Sequence, residues 1–572
     1  MMKEKLRKIL HDTFQITSQK EGWSASLPAF EVERPKVKEH GDLSSNIAML
    51  LARPLKLAPR VVGEALLRHL QDPEQILAQS GLAGAGFLNF RFKKEAWQQL
   101  LSQVYAAGDR FGTSKVGQGK KVVIEYVSAN PTGPLHIGNA RGGPMGDVIA
   151  ALLQWTGYQV VREYYLNDVG GQIDKLGESI LCELRAIENP DQITETPQAE
   201  RHYTGSYVRE IALAAQQELS GKLKVDEEEQ KRILGKFGVQ FLFEEIKRDC
   251  DAMGISFDSY VHEKTILVSQ LTDEMIKLLK ERGVTQEKEG ALWFTPEGAG
   301  EDALADRESV LVRSDGRPTY FANDIAYHVG KYRNHYDRLI NVWGSNHHGH
   351  VPRVQAAVKA LGFDPQRIET VLYQYVRVKR GNDLLKMSKR AGNYVTAREV
   401  LDEVGKDAFR FFLLMRAASS HLDFDLELAK QQSQENPVYY VQYAHARLCS
   451  IFRKASEQGI KLAAQPALEK LDLPEELRLI ALIQEFPDEV LLAAERLEPH
   501  RIPFYLLELA QAFQSYYSLA KQDPKYRVLG SDVDTTQAKM YLCHILKTTL
   551  AQGLKLIGVT APEIMTGGLT HE

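Results

Sequence analysis

The 572-residue chain is poor in cysteine and contains no long apolar run, no tandem repeat and no low-complexity tract. Its four cysteines, Cys182, Cys250, Cys449 and Cys543, are far apart and form no CxxC pair. That spacing excludes a zinc knuckle and argues against a disulfide framework, so a reducing cytoplasm is the expected setting. No stretch approaches the roughly 18–20 apolar residues that a membrane-spanning helix needs. The opening MMKEKLRKILHDTF mixes charged and apolar residues at helical spacing and lacks the apolar core of a signal peptide. A net charge of −4 does not advertise a nucleic-acid binder, although phosphate recognition needs only a local basic surface. The densest local bias is VRVKRGNDLLKMSKR, Val376 to Arg390, with six basic residues and one acidic residue.

The length exceeds what one core can organise and predicts several domains. Residues 1–112 read as a small α+β domain: a helix near Glu4–Phe14, an amphipathic stretch over Leu43–Leu57, and a strand in GFLNFRF. Residues 113–405 change to α/β. The run KVVIEYVS is a strand, a Gly/Pro loop follows, GDVIAALLQWTGY has helical periodicity, and QVVREYYLND is the next strand. Strand, loop, helix and strand make a βαβ unit, the start of a doubly wound sheet. A charge-rich insertion is expected over about 174–288, after which strands and helices alternate again. Residues 406–572 read as entirely helical, with Asn436 as a cap and Pro437 at a first helical position.

The chemistry gathers in VSANPTGPLHIGNARGG, Val127 to Gly143, where two prolines and four glycines follow a buried strand. Such a loop lets an anionic ligand approach the backbone, and the following helix start offers unpaired N–H groups. His136 can donate to phosphate oxygens there; taken alone, the same residues also suit a tight turn with a surface histidine. In LLKMSKRAGN, Lys386, Lys389 and Arg390 flank Met387 and Ser388 in a polar loop, a pattern that alone would be a solvated face. Together, PLHIGN and KMSKR resemble the HIGH and KMSKS signatures of class I aminoacyl-tRNA synthetases. EYVSANPTGPLHIGN, DGRPTYFANDIAYH and GFLNFRF narrow the resemblance to the bacterial-type arginyl-tRNA synthetase family, over most of the chain and least in the insertion.

The resemblance implies a Rossmann-like, doubly wound catalytic domain with a charged insertion, an α+β N-terminal domain and an all-α C-terminal domain. It implies ligation of L-arginine to its tRNA through an arginyl-adenylate, with ATP arriving as its Mg²⁺ complex and no zinc. Catalytic roles fall to His136, Lys386 and Lys389. ATP contacts fall to Pro134, His136, Gly138, Asn139, His350, Met387, Ser388 and Lys389. Tyr320 and Asp324 are placed at the guanidinium of arginine, with Glu125, Ser128, Asn130 and His347 completing its pocket. Phe87 and Asn89 are candidates for the tRNA elbow, and Tyr439 and Arg447 for contacts from the helical domain. A monomer without membrane attachment is expected.

Elementary chemistry agrees with parts of this assignment. A guanidinium calls for a fixed carboxylate that it can meet bidentately. Tyr320 and Asp324, four apart, share a face if their segment is helical. Glu125 ends a nearly apolar strand, where an unpaired acid is costly. His347, His348 and His350 lack a fourth ligand nearby, so a metal centre is not expected. Aromatic residues at helical spacing, Tyr439, Tyr440, Tyr443, Tyr516 and Tyr517, are mostly core, with one or two left for RNA. The first signature ends in Asn139, which can donate a hydrogen bond but carries no charge. Two rival readings are an inactive tRNA-binding paralogue, which would have lost His136, Asp324 or Lys389, and a small-molecule adenylyltransferase, which has no use for the helical region.

Overall fold

The computed structural model describes residues 1–35, 37–188, 202–219, 221–295, 309–381, 383–385 and 395–565. At its centre lies a five-stranded parallel sheet in the order Ile368–Tyr373, Arg338–Gly344, Lys121–Glu125, Gln159–Leu166, Ser259–His262. The first of these strands in chain order, Lys121–Glu125, is central, and the sheet grows outward from it in both directions. The order therefore reverses between Lys121–Glu125 and Arg338–Gly344, and ligands of such sheets bind beyond the strand carboxyl ends at that reversal.

The glycines after the first signature serve packing. The helix Gly142–Trp155 lies so close to the sheet that a Cβ on Gly146 would stand 2.2 Å from the Tyr126 ring, and one on Gly142 2.9 Å from Tyr373. This approach buries Val148, Ile149, Leu152 and Leu153 completely, each contributing about 1.5–3 kcal/mol.

Two sequence expectations need correction. The stretch 174–288 is not a single insertion. Its helices Gly171–Glu188, Ser206–Leu219 and Glu227–Ala252 share a core of their own, but Ser259–His262 is the edge strand of the central sheet. Four residues, none of them fully buried, give too short a pattern to stand out from charged surroundings. The region after 406 is not wholly helical either, because Leu422–Asp425 pairs in parallel with Val376–Arg380. At the N-terminus, Leu43–Leu57 divides into the strand Leu43–Ser45 and the helix Ile47–Leu55, and the strand joins a four-stranded antiparallel sheet.

One residue ties the parts together. Arg410, fully buried on the helix Lys406–Leu414, donates from Nε to the Ile557 carbonyl (2.8 Å), from Nη1 to that of Met253 (3.0 Å) and from Nη2 to Asp147 Oδ2 (2.6 Å). The C-terminal helix, the end of the inserted helices and the signature helix thus meet on one guanidinium. Arg410→Met should lower unfolding stability by roughly 3 kcal/mol or more, because it leaves Asp147 without its closest partner. Arg410→Lys should recover only part of this, since an ammonium lacks the planar fork. Urea-unfolding midpoints equal to wild type would contradict the assignment.

Candidate active site

The first central strand leaves the sheet abruptly. Ser128 N–H donates to the Tyr126 carbonyl (3.0 Å) across Val127, and Val127 and Ser128 have φ of 67° and 40°. A three-residue turn with a β-branched residue at positive φ is strained by about 1–3 kcal/mol, a cost borne typically at functional sites. Side chains then replace the lost ladder. Ser128 Oγ accepts from Tyr165 N (3.1 Å), and Tyr164 donates its hydroxyl to the Ala129 carbonyl (2.8 Å). Tyr207, from the inserted helices, donates to the Thr132 carbonyl (3.1 Å). Asn130 is exposed and Pro134 half-buried on the resulting loop.

His136 caps the short helix Ile137–Ala140, its Nδ1 accepting from Gly138 N–H (2.9 Å). With Nδ1 an acceptor, the neutral ring carries its proton on Nε2 and presents a donor there. A Cβ on Gly138 would stand 3.0 Å from that Nδ1, so the glycine is part of the cap. Asn139 exposes its side chain, while its carbonyl accepts from the Tyr373 hydroxyl (3.3 Å).

Lys386, Met387, Ser388, Lys389 and Arg390 lie outside the described residues, but the chain that returns from them is placed. Ile137 N–H donates to the Val395 carbonyl (3.2 Å) and Ala397 N–H to that of Leu135 (2.7 Å), so Thr396 pairs with His136. Thr396 also forms a capping box with Glu399 on the helix Ala397–Val404. Before it, the three cations of the strand Val376–Arg380 are paired: Arg377 with Asp423 (2.6 Å), Lys379 with Asp425 (2.9 Å), and Arg380 with Glu403 (2.7 Å) and Glu427 (3.1 Å).

A polar row crosses the sheet at the cleft. Asn341, Glu125, Glu163 and Ser259 are in register on four adjacent strands, and the helix Tyr320–Arg333 lies against them. Its Lys331 Nζ sits 3.4 Å from Glu125 and 3.5 Å from Glu163, and 4.0 Å from the centre of the Tyr327 ring. Tyr327 donates to Glu163 Oε1 (2.6 Å). Both glutamates and Lys331 are buried.

The segment carrying Tyr320 and Asp324 is a helix, so the two share a face, but their settings differ. Tyr320 is 44% exposed and Asp324 is buried. His328 Nδ1 donates to the Asp324 carbonyl (2.9 Å) and stands 3.2 Å from its Oδ1, and Asp324 Oδ2 accepts from His350 Nε2 (2.5 Å). Burial alone would push this carboxyl up; the charge and hydrogen bond of His328, then of His350, outweigh burial and hold it well below the usual range. His350, expected on the ribose side, thus stands beside Asp324, with its ring 5.9 Å from that of Tyr320. Half-buried His347 lies 6.5 Å from His350 and 5.8 Å from Trp343, and its pKa is lowered by burial and then by His350.

Sequence reasoning missed Glu163, Lys331, Tyr327, His328 and Asn341. Glu163 was accessible to the logic used for Glu125, an acid in an apolar strand; the helix residues carry no such signal. Arg141, directly after the signature, was missed too. Fully buried, it donates to the carbonyls of Gln374 (2.8 Å), Ser420 (2.8 Å), Ala417 (3.0 Å) and Arg416 (3.3 Å), and burial lowers its pKa to about 10.

On the RNA side, Phe87 is exposed and Asn89 half-buried, two apart on the strand Phe87–Phe92 and hence on one face. Tyr439 is only 7% exposed, with its ring stacked 6.0 Å from Tyr443, so it is core and not an open platform for a base. Arg447 lies over the rings of Tyr443 (4.6 Å) and Tyr517 (4.7 Å) and donates to Gln514 (2.7 Å) and the Tyr443 hydroxyl (2.8 Å).

The arginyl tRNA synthetase N-terminal domain family matches residues 1–92, the class I tRNA synthetase (R) catalytic domain residues 100–418, and the DALR anticodon binding domain residues 441–565. The chain is 44% identical to an arginine–tRNA ligase of Syntrophotalea carbinolica, covering 99% of this chain and 100% of the relative. It is 42% identical to one of Carboxydothermus hydrogenoformans, over 94% of each. The Thermus thermophilus arginyl-tRNA synthetase structure has the same fold, with a TM-score of 0.77, 24% identity, and coverage of 99% of this chain and 100% of that one. Matched in its N-terminal, catalytic and anticodon-binding parts and along its whole length, the chain belongs to the arginyl-tRNA synthetases.

Proposed function

We propose an assignment of roles in the reaction of this family, in which the chain charges tRNA with arginine at the expense of ATP. The observation that carries it is the set of buried carboxylates Glu125, Glu163 and Asp324 at the carboxyl end of the central sheet, with Lys331 the one lysine or arginine paired to them among the described residues. Such a pocket favours a cationic amino acid. Asp324 and Tyr320 meet the guanidinium, which can use both edges of its planar fork. Glu125, Ser128 and Asn130 serve the backbone end of the substrate, and His347 lines the pocket.

The arginine carboxylate attacks the α-phosphate of ATP; a carboxyl-oxygen-to-phosphorus bond forms and pyrophosphate leaves. A terminal ribose hydroxyl of the tRNA then attacks the acyl carbon and AMP leaves. No side-chain nucleophile is needed, so catalysis is positioning plus donors aimed at phosphate oxygens. His136 supplies such a donor from Nε2, with Pro134, Gly138 and Asn139 shaping the loop around the nucleotide. His350 approaches the ribose side from its place beside Asp324. The resemblance assigns Lys386 and Lys389 to the leaving pyrophosphate, with Met387 and Ser388 between them, and Mg²⁺ arrives bound to ATP. Phe87 and Asn89 form the exposed contact for the tRNA elbow, and Arg447 reaches tRNA only by leaving its present partners. The enzyme acts as a cytoplasmic monomer, and bound tRNA is required for arginine activation.

ATP–pyrophosphate exchange tests these roles. Asp324→Asn should raise KM for arginine by about 10- to 100-fold, the loss of a charged hydrogen-bond acceptor, with little change in KM for ATP. His136→Ala should lower kcat by about 10²- to 10³-fold, as for loss of a transition-state donor, and leave KM for arginine nearly unchanged. Exchange as fast without tRNA as with it would sink the tRNA requirement.

A further inference from the structure

Lys331 serves two of the buried carboxylates and is tight on neither. Its Nζ stands 3.4 Å from Glu125 Oε2 and 3.5 Å from Glu163 Oε1, whereas an ammonium committed to one carboxylate sits at about 2.7–2.9 Å. From that midway position a flexible lysine stem can close on either acid through small torsional changes.

The two acids are otherwise unequal. Glu163 also accepts from the Tyr327 hydroxyl at Oε1 (2.6 Å) and from Ser259 Oγ at Oε2 (3.4 Å). Glu125 has Lys331 as its one side-chain partner at hydrogen-bond distance among the described residues. Tyr327 favours the Glu163 side further, because its hydroxyl holds Glu163 while its ring takes the Lys331 ammonium 4.0 Å from its centre. Asn341, opposite Glu125 on the next strand, is fully buried, and its Oδ1 has no hydrogen-bond partner among the described residues. The row therefore holds acceptors in excess of donors, and two carboxylates with one ammonium leave it a net negative charge. A buried anion in excess is costly until a second cation arrives.

We infer that Lys331 and Glu163 are positioning residues for the α-ammonium of the substrate: when that ammonium takes Glu125, Lys331 closes on Glu163, and each carboxylate then has a cation of its own. This rests on the reading of Glu125 as an acid at the backbone end of the substrate. Glu163 acts without touching substrate. It is the second seat for Lys331, and without it the lysine stays on Glu125 and competes with the incoming ammonium. No group has to leave the buried site for the charge of the substrate to enter.

Steady-state charging of arginine tRNA by the full chain tests this, through KM for L-arginine and Ki for two competitors. Agmatine keeps the ammonium and lacks the carboxylate; 5-guanidinopentanoate lacks the ammonium. Glu163→Gln keeps the side-chain shape and an acceptor for Tyr327 but leaves Lys331 to settle on Glu125. It should raise KM for arginine and Ki for agmatine by about tenfold or more, and leave Ki for 5-guanidinopentanoate within about twofold. A merely structural role would weaken all three alike. Adding Lys331→Met removes the competitor and should lower KM for arginine at least about threefold from its Glu163→Gln value, where independent damage would add to the first loss. The Glu163→Gln comparison decides by itself where the double variant fails to fold.

Equal losses for all three ligands in Glu163→Gln, or no loss for arginine, would overturn the inference. So would a folded double variant whose KM is no lower than that of Glu163→Gln. Glu125→Gln isolates the underlying reading: it should weaken arginine and agmatine and spare 5-guanidinopentanoate. That split in Glu125→Gln without one in Glu163→Gln would sink the role of Lys331 and Glu163 alone. Equal loss of all three ligands in Glu125→Gln, or of none, would remove Glu125 from the ammonium and the positioning role with it.

Discussion

Glu125 and Glu163 stand directly opposite each other on adjacent parallel strands, both buried, and the site depends on how that repulsion is relieved. Like charges in register destabilise a sheet, and a buried anion without a partner is costlier still. Lys331 relieves both by reaching from the covering helix to within 3.5 Å of each. That requirement sets the rotation of the helix Tyr320–Arg333. With Lys331 over the two glutamates, His328 meets Asn341 and Asp324 turns toward His350. The arrangement of Asp324 and its histidines at the cleft is therefore tied to electrostatic neutrality in the core.

A second constraint brings the nucleotide elements together. The strained turn at Val127 takes the chain off the sheet, and His136 then pairs with Thr396, the residue that caps the next helix. Arg141 fastens the same region to carbonyls around 416–420, and Arg410 fastens the signature helix to the C-terminal helix. Two buried guanidiniums thus couple the first signature to the chain leaving the catalytic domain. In both cases planar, multiply donating geometry explains why arginine and not lysine is found there.

The basic strand Val376–Arg380 shows how local charge misleads. It carries three of the six cations of the most positive stretch, Val376 to Arg390, and Asp423, Asp425, Glu403 and Glu427 come to those three from later elements, while Lys386, Lys389 and Arg390 lie outside the described residues. Of the aromatic stripe in the helical domain, Tyr439 and Tyr516 are buried, and Tyr440, Tyr443 and Tyr517 are half-buried. Tyr439 as an RNA contact was the weaker reading, because spacing reports which face a residue shares and not which face is wet.

The sequence by itself determined the family, the βαβ start of a parallel sheet, the helix that puts Tyr320 and Asp324 on one face, and the Gly/Pro loop that follows the first central strand. These depend on local chemistry: β-branched runs, Gly/Pro loops and caps act over a few residues. Only the tertiary structure decided that Ser259–His262 is a sheet edge, that Lys331 neutralises Glu125 and Glu163, and that His350 belongs with Asp324. Those partners lie tens to hundreds of residues apart. A charge in a sequence has a sign but no distance, and Coulomb energy and desolvation depend on distance and burial.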